Sequence, residues 1–197
     1  MAEVLIVPTG TANLASVVAA FRRQGAEARI AERGREVLAA SHVVLPGVGT
    51  FGAAMARLMG GGFAEALRRR MAEDRPTAAI CVGLQLLFAA SEESPGVAGL
   101  GILPGTVRRF AANVRTPQFG WNRIEPEPAC RLVEPGWAYF ANSFRAEQAP
   151  GWACAWSEHG GRFVAAIERG RILGLQFHPE LSGAYGARLL ARFLDLG

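Results

Sequence analysis

Cys81 ends the apolar run Ala78-Ala79-Ile80 and is followed by Val82-Gly83. A thiol on such a strand-to-helix turn is presented at the carboxyl end of a sheet, and the small residues on either side let the turn close. The N–H groups at a helix start favour the thiolate, the form that attacks carbonyl carbon. A lone cysteine in an apolar run is more often an inert core residue; Gly83 weighs against that reading here. A second segment is Gln176-Phe177-His178-Pro179-Glu180. Pro179 forces extended backbone on His178, and residues two apart in an extended stretch face the same way. His178 can then serve as general base and acid, with Glu180 orienting it. By itself this pair is compatible with an ordinary surface loop. With Cys81 it supplies the residue types of a Cys-His-acid triad.

A third segment, Pro46-Gly47-Val48-Gly49-Thr50-Phe51-Gly52, matches the spacing of a dinucleotide-binding turn. That fingerprint normally follows the first strand of its unit, whereas this one follows the third, and no acidic strand end comes about twenty positions later. A turn whose bare N–H groups face a substrate oxyanion fits the same spacing, as does a turn that simply needs positive φ. The segment alone does not separate these readings.

Elements must bring the three segments together. Apolar runs at 4–7, 26–30, 43–45 and 78–82 predict buried strands. Helical spacing predicts helices over 14–21, with Asn13 as N-cap, and over 51–71 with an interruption at 60–62. Residues 84–90 also read as helical. Alternating strands and helices mean a parallel sheet. From 99 to 176 short β-like runs (107–110, 136–140 and 163–167) predict antiparallel hairpins packed on or extending that sheet, and 183–196 closes as a helix. One domain over residues 1–197 is expected.

Composition narrows the chemistry. All 21 basic residues are arginine, which excludes Schiff-base, pyridoxal phosphate and P-loop chemistry, each of which needs a lysine. Alanine, glycine and arginine dominate, so the missing lysine is first a compositional bias. The net charge is +4, and the arginines are scattered without a basic stripe, which argues against nucleic-acid binding. Arg68-Arg69-Arg70 is expected on the solvated face and end of a helix. Three well-separated cysteines without CxxC spacing argue against a structural zinc site and a disulfide framework. The start of the chain reads as a strand rather than a signal peptide, and no apolar run reaches membrane-spanning length. A cytoplasmic protein with no membrane contact, no metal and no cofactor is the expectation.

With these segments identified, the chain resembles the triad-type glutamine amidotransferases, and more closely the glutaminase subunits of imidazole glycerol phosphate synthase. The likeness runs from Gly10-Thr11-Ala12-Asn13-Leu14 through the glycine turn, Cys81-Val82-Gly83-Leu84-Gln85, Ser91-Glu92-Glu93 and Gly120-Trp121-Asn122 to Gln176-Phe177-His178-Pro179-Glu180. It implies a flavodoxin-like α/β fold: a mostly parallel sheet flanked by helices, with an antiparallel β extension in the second half. It implies glutamine hydrolysis by Cys81, His178 and Glu180, with the oxyanion held by N–H groups of Val82 and of Gly47, Val48 and Gly49. Gln85, Glu93, Ser143 and Phe144 match positions that hold the ends of L-glutamine. The implied partner is a barrel-shaped cyclase subunit, in a heterodimer serving histidine biosynthesis. It would use the ammonia to make imidazole glycerol phosphate and an aminoimidazole carboxamide ribotide. Asn13, Trp121, Asn122 and Leu181 are the candidate docking residues; Trp121 could equally be a core aromatic. A glutaminase for a different ammonia-using synthase and a non-enzymatic regulator of the cyclase are the alternatives.

The chain departs from the family pattern at four places. Ala79 stands for a usual Gly, Gln118 for a common His, and Asn142-Ser143-Phe144 for a common His-Ser-Tyr. Leu181 stands where relatives tend to carry Lys or Arg, which puts the coupling to the partner in question rather than the triad.

Overall fold

The computed structural model describes residues 2–10, 14–47 and 49–196. The chain begins with β1 (Glu3–Ile6), α1 (Leu14–Arg23), β2 (Glu27–Ile30), α2 (Gly34–Ala39), β3 (His42–Leu45), α3 (Phe51–Gly60), α4 (Phe63–Ala72) and β4 (Thr77–Ile80). Then come α5 (Val82–Gln85), β5 (Phe88–Ser91), β6 (Leu103–Arg109), β7 (Gln118–Pro126), β8 (Gly136–Asn142), β9 (Phe144–Arg145), β10 (Ala153–Glu158), β11 (Arg162–Arg169), β12 (Ile172–Leu175), a 3-10 turn (Pro179–Leu181) and α6 (Gly183–Leu194).

Among the described residues nine strands form one sheet in the order β2-β1-β3-β4-β12-β11-β10-β7-β8. The strands β2, β1, β3, β4 and β12 run parallel, and β11, β10, β7 and β8 continue the sheet with antiparallel pairing. The central strands β3, β4 and β12 are covered on both faces and buried at every residue, whereas β2 at the sheet edge is largely exposed. The strands β5, β6 and β9 form a small separate sheet. The helices over 14–23, 51–72 and 183–194 follow the sequence expectation, including the break at Gly61-Gly62 between α3 and α4, whereas α2 was not expected. No helix among the described residues is long and apolar enough to cross a membrane. Asn13, expected as the cap of α1, lies outside the described residues.

Two expectations need correction. Residues 84–90 are not one helix: α5 ends at Gln85, and Phe88–Ser91 is a strand. The cause is non-local. The carbonyls of Leu86, Leu87 and Ala89 accept hydrogen bonds from Leu100, Leu103 and Gly99, and Phe88 pairs with Leu103. That pairing overrides the local helical pattern.

The second correction is Arg70. It lies in the last turn of α4 but is fully buried. Its Nη1 donates to the carbonyls of Val37 and Ala40 (both 2.7 Å), its Nη2 to those of Ser41 (2.7 Å) and Pro76 (2.9 Å), and its Nε to Thr77 Oγ1 (3.1 Å). The guanidinium thus ties off the carboxyl end of α2, where orphan carbonyls and the helix dipole favour a cation. Burial, reinforced by the nearby Arg75, lowers its pKa to about 10, which leaves it charged at neutral pH.

Candidate active site

The three chemistry-bearing segments emerge from the carboxyl ends of three adjacent parallel strands. Leu45 of β3 is level with Ala79 of β4, and Ile80 of β4 with Leu175 of β12. The glycine turn, Cys81 and the Gln176–Glu180 stretch are the next residues out, on the side of an open α/β sheet where ligands bind. Ala79 is fully buried in β4, level with Gly174 of β12.

Cys81 sits at φ 53°, ψ −113°. This is left-handed backbone that L residues avoid, held here by the Cys81 N–H bond to the Leu175 carbonyl (2.6 Å). Directly after it α5 starts, and Val82, at the first helical position, has an N–H with no intrahelical acceptor. The glycine turn packs hard against this elbow: a Cβ on Gly47 would collide with the Gly83 N–H, and one on Gly83 with the Leu45 carbonyl. Gly49 has φ 95°. Val48 lies outside the described residues.

A cleft of about 340 Å³ opens here, lined by Ser16, Gly49, Cys81, Val82, Ala141, His178, Glu180 and Leu181. His178 Nδ1 and Glu180 Oε1 are 2.8 Å apart, and both side chains are nearly buried. Burial pulls the His178 imidazolium down, but its hydrogen bonds to Cys81 and then to Glu180 outweigh this and raise its pKa to about 10. The second Glu180 oxygen is buried without a partner among the described residues. The His178 backbone is also fixed. Its N–H bonds the Tyr139 carbonyl (2.9 Å), and its carbonyl accepts from Ser182 Oγ (2.6 Å) and Leu181 N–H (3.1 Å).

Behind the sulfur lies a chain of amides. Gln176 Nε2 is 3.7 Å from Cys81 Sγ, and Gln176 Oε1 accepts from Gln85 Nε2 (3.0 Å). Gln85 Nε2 also donates to the Phe144 carbonyl (3.1 Å), as does Asn142 Nδ2 (3.0 Å). Gln85 is buried, Ser143 half-buried, and the Glu93 carboxylate accepts from Phe51 N–H (2.6 Å) at the start of α3. None of these four expected substrate residues lines the cleft itself.

The mouth of the cleft borders an apolar face. Phe119, Trp121, Trp137 and Leu181 are roughly half exposed or more, so Trp121 is not a core aromatic. Along the β7–β8 ladder Phe119 is opposite Ala141, Trp121 opposite Tyr139 and Arg123 opposite Trp137. Asn122 faces away and donates to the Glu158 carbonyl at 2.6 Å. Sequence reasoning missed Gln176, Ser182, Phe119 and Trp137. For Gln176 a signal existed: it is two residues before His178 and shares its face.

Residues 10–196 match the class-I glutamine amidotransferase family. The imidazole glycerol phosphate synthase subunit HisH of Symbiobacterium thermophilum is 40% identical, over 98% of this chain and 93% of that protein. The HisH subunit of Xylella fastidiosa is 43% identical, over 100% and 98%. A crystal structure of a glutamine amidotransferase superposes with TM-score 0.78 at 21% identity, covering 98% of this chain and 97% of that one, which shows the shared fold. The chain belongs to the class-I glutamine amidotransferases, within the group of HisH glutaminase subunits of imidazole glycerol phosphate synthase.

Proposed function

We propose that this chain hydrolyses L-glutamine with Cys81 as nucleophile, His178 as acid and base and Glu180 as the carboxylate that orients it. The observation that carries the reading is the convergence of three motifs at the carboxyl ends of β3, β4 and β12 around one cleft. The Cys81 thiolate adds to the side-chain carboxamide carbon of glutamine. The oxyanion that forms takes N–H bonds from Val82 and from the turn at Gly47, Val48 and Gly49. His178 gives its proton to the departing nitrogen, releasing ammonia and leaving a glutamyl thioester on Cys81. Water then loses a proton to His178, adds to the thioester and expels the thiolate, giving glutamate. Outside the cleft lining, Gln85 Oε1, the Glu93 carboxylate and the Ser143-Phe144 backbone are assigned to the amino-acid end of glutamine.

Free ammonia in neutral water is mostly protonated and not nucleophilic, so its value lies in direct delivery. In this reading a cyclase subunit docks on the apolar face of Phe119, Trp121, Trp137 and Leu181 beside the cleft, in a cytoplasmic heterodimer. Exposed tryptophan of this kind is typical of interface anchors. Glutamate release with and without added cyclase is the test. Turnover that rises with the cyclase and disappears in Cys81→Ala supports the proposal; turnover that survives Cys81→Ala overturns it.

A further inference from the structure

The polarity of the amide chain behind Cys81 is set by one carbonyl. The Phe144 oxygen can only accept, so the Gln85 end facing it is Nε2. The same nitrogen supplies its second N–H to Gln176 Oε1. With its oxygen engaged, Gln176 has only N–H groups to turn toward the sulfur 3.7 Å away. Gln176 is fully buried and Gln85 almost so, so no bulk water competes for these bonds. A donor aimed at sulfur favours the anion over the neutral thiol, because a hydrogen bond to a charged acceptor is about twice as strong.

We propose that Gln176 is a positioning residue for the nucleophile: its Nε2–H holds Cys81 Sγ in place as the thiolate, with the orientation imposed by the Phe144 carbonyl through Gln85. This rests on the reading of Cys81 as nucleophile. The titratable groups facing Cys81 in the cleft are His178 and Glu180; Gly49, Val82 and Ala141, from the other elements around it, carry none. His178 surrenders its proton in every cycle, whereas Gln176 never does. Gln176 is therefore a constant donor, both when the sulfur attacks and when the thioester expels it.

The test is alkylation of Cys81 by iodoacetamide as a function of pH, read by mass spectrometry of the Cys81 peptide in the full chain. Gln176→Met keeps the size without a donor. Gln176→Glu keeps the acceptor for Gln85 but offers the sulfur an ionised oxygen. Cys130 and Cys154, pushed up to about 12 and about 11 by burial and then by neighbouring carboxylates, stay neutral thiols over the useful range. In both variants the alkylation midpoint should move up by about one pH unit or more, with about tenfold slower reaction at neutral pH. A wild-type midpoint in a variant that melts cooperatively overturns the proposal, as does a lower melting temperature with an unmoved midpoint. Should Gln176→Met fail to fold, Gln176→Glu, which retains the bond to Gln85, decides. Glutamine hydrolysis by Cys81→Ala fails the nucleophile reading separately, whatever the Gln176 variants show.

Discussion

His178 Nδ1 and Glu180 Oε1 meet at 2.8 Å across a single intervening proline. The pair is local in sequence, and its backbone is held both from afar, by the Tyr139 carbonyl that accepts from His178 N–H, and from nearby, by the Ser182 hydroxyl that donates to the His178 carbonyl. Glu180→Gln keeps the shape but removes the charge that stabilises the imidazolium. Glutaminase kcat in the presence of the cyclase should fall about 10²-fold or more. Loss of less than a few-fold would mean that Glu180 only fills space.

The proton on His178 also links stability to pH. Its pKa in the folded chain, about 10, lies above the ordinary 6.5. A raised basic group contributes stability that is fully present below the unfolded value and is lost as pH rises through the folded one. The melting-temperature advantage of wild type over His178→Gln should therefore be widest near pH 6 and shrink toward pH 10. A constant gap would exclude this linkage.

Cys81 stores strain at φ 53°, a conformation costing on the order of 1–3 kcal/mol for a residue with a Cβ. Cys81→Ala and Cys81→Gly should both be inactive. Urea unfolding should find the glycine variant more stable than the alanine one by about 1 kcal/mol, the reverse of the usual ranking.

The partner reading separates docking from chemistry. Trp121→Ala should weaken cyclase binding by about tenfold or more while leaving the Cys81 alkylation profile unchanged. Leu181→Arg should alter cyclase affinity or the glutamine-to-product ratio more than basal hydrolysis. Titration calorimetry and coupled product assays distinguish these outcomes. Equal effects of Trp121→Ala on binding and on alkylation would place Trp121 in the site rather than on the docking face.

Arg70 carries a stability prediction. Removing it strands several buried carbonyls, so Arg70→Met should cost on the order of 3 kcal/mol or more. Arg70→Lys should fall between the two, since an ammonium has three donors for the positions that the guanidinium serves with a planar fork. A lysine variant as stable as wild type would show that charge alone suffices.

Much of this was legible in the residues. Buried parallel strands are apolar runs in any sequence, and the glycine turn, Cys81 and His178-Pro179-Glu180 each mark a strand end. What was not legible depends on distant partners. Residues 88–91 become a strand only because 99–107 lie alongside them. Six residues make α2 too short for periodicity to show. Arg70 looked like one of three surface cations, since nothing local reveals that carbonyls from 37–41 and 76 converge on it. Gln176 was readable in part: its face could be assigned from spacing, but its bond to the sulfur needed the fold.

The buried guanidinium of Arg70 has a further consequence for how the molecule opens. Its five donors clasp two stretches that are well separated in the chain: residues 37–41, from the tail of α2 to the approach to β3, and residues 76–77 at the approach to β4. Detaching either stretch leaves guanidinium N–H groups buried without an acceptor. Amide hydrogen exchange should therefore show α2, β3 and the end of α4 exchanging together as one cooperative unit rather than fraying in turn. In Arg70→Met that unit should split, with α2 exchanging first.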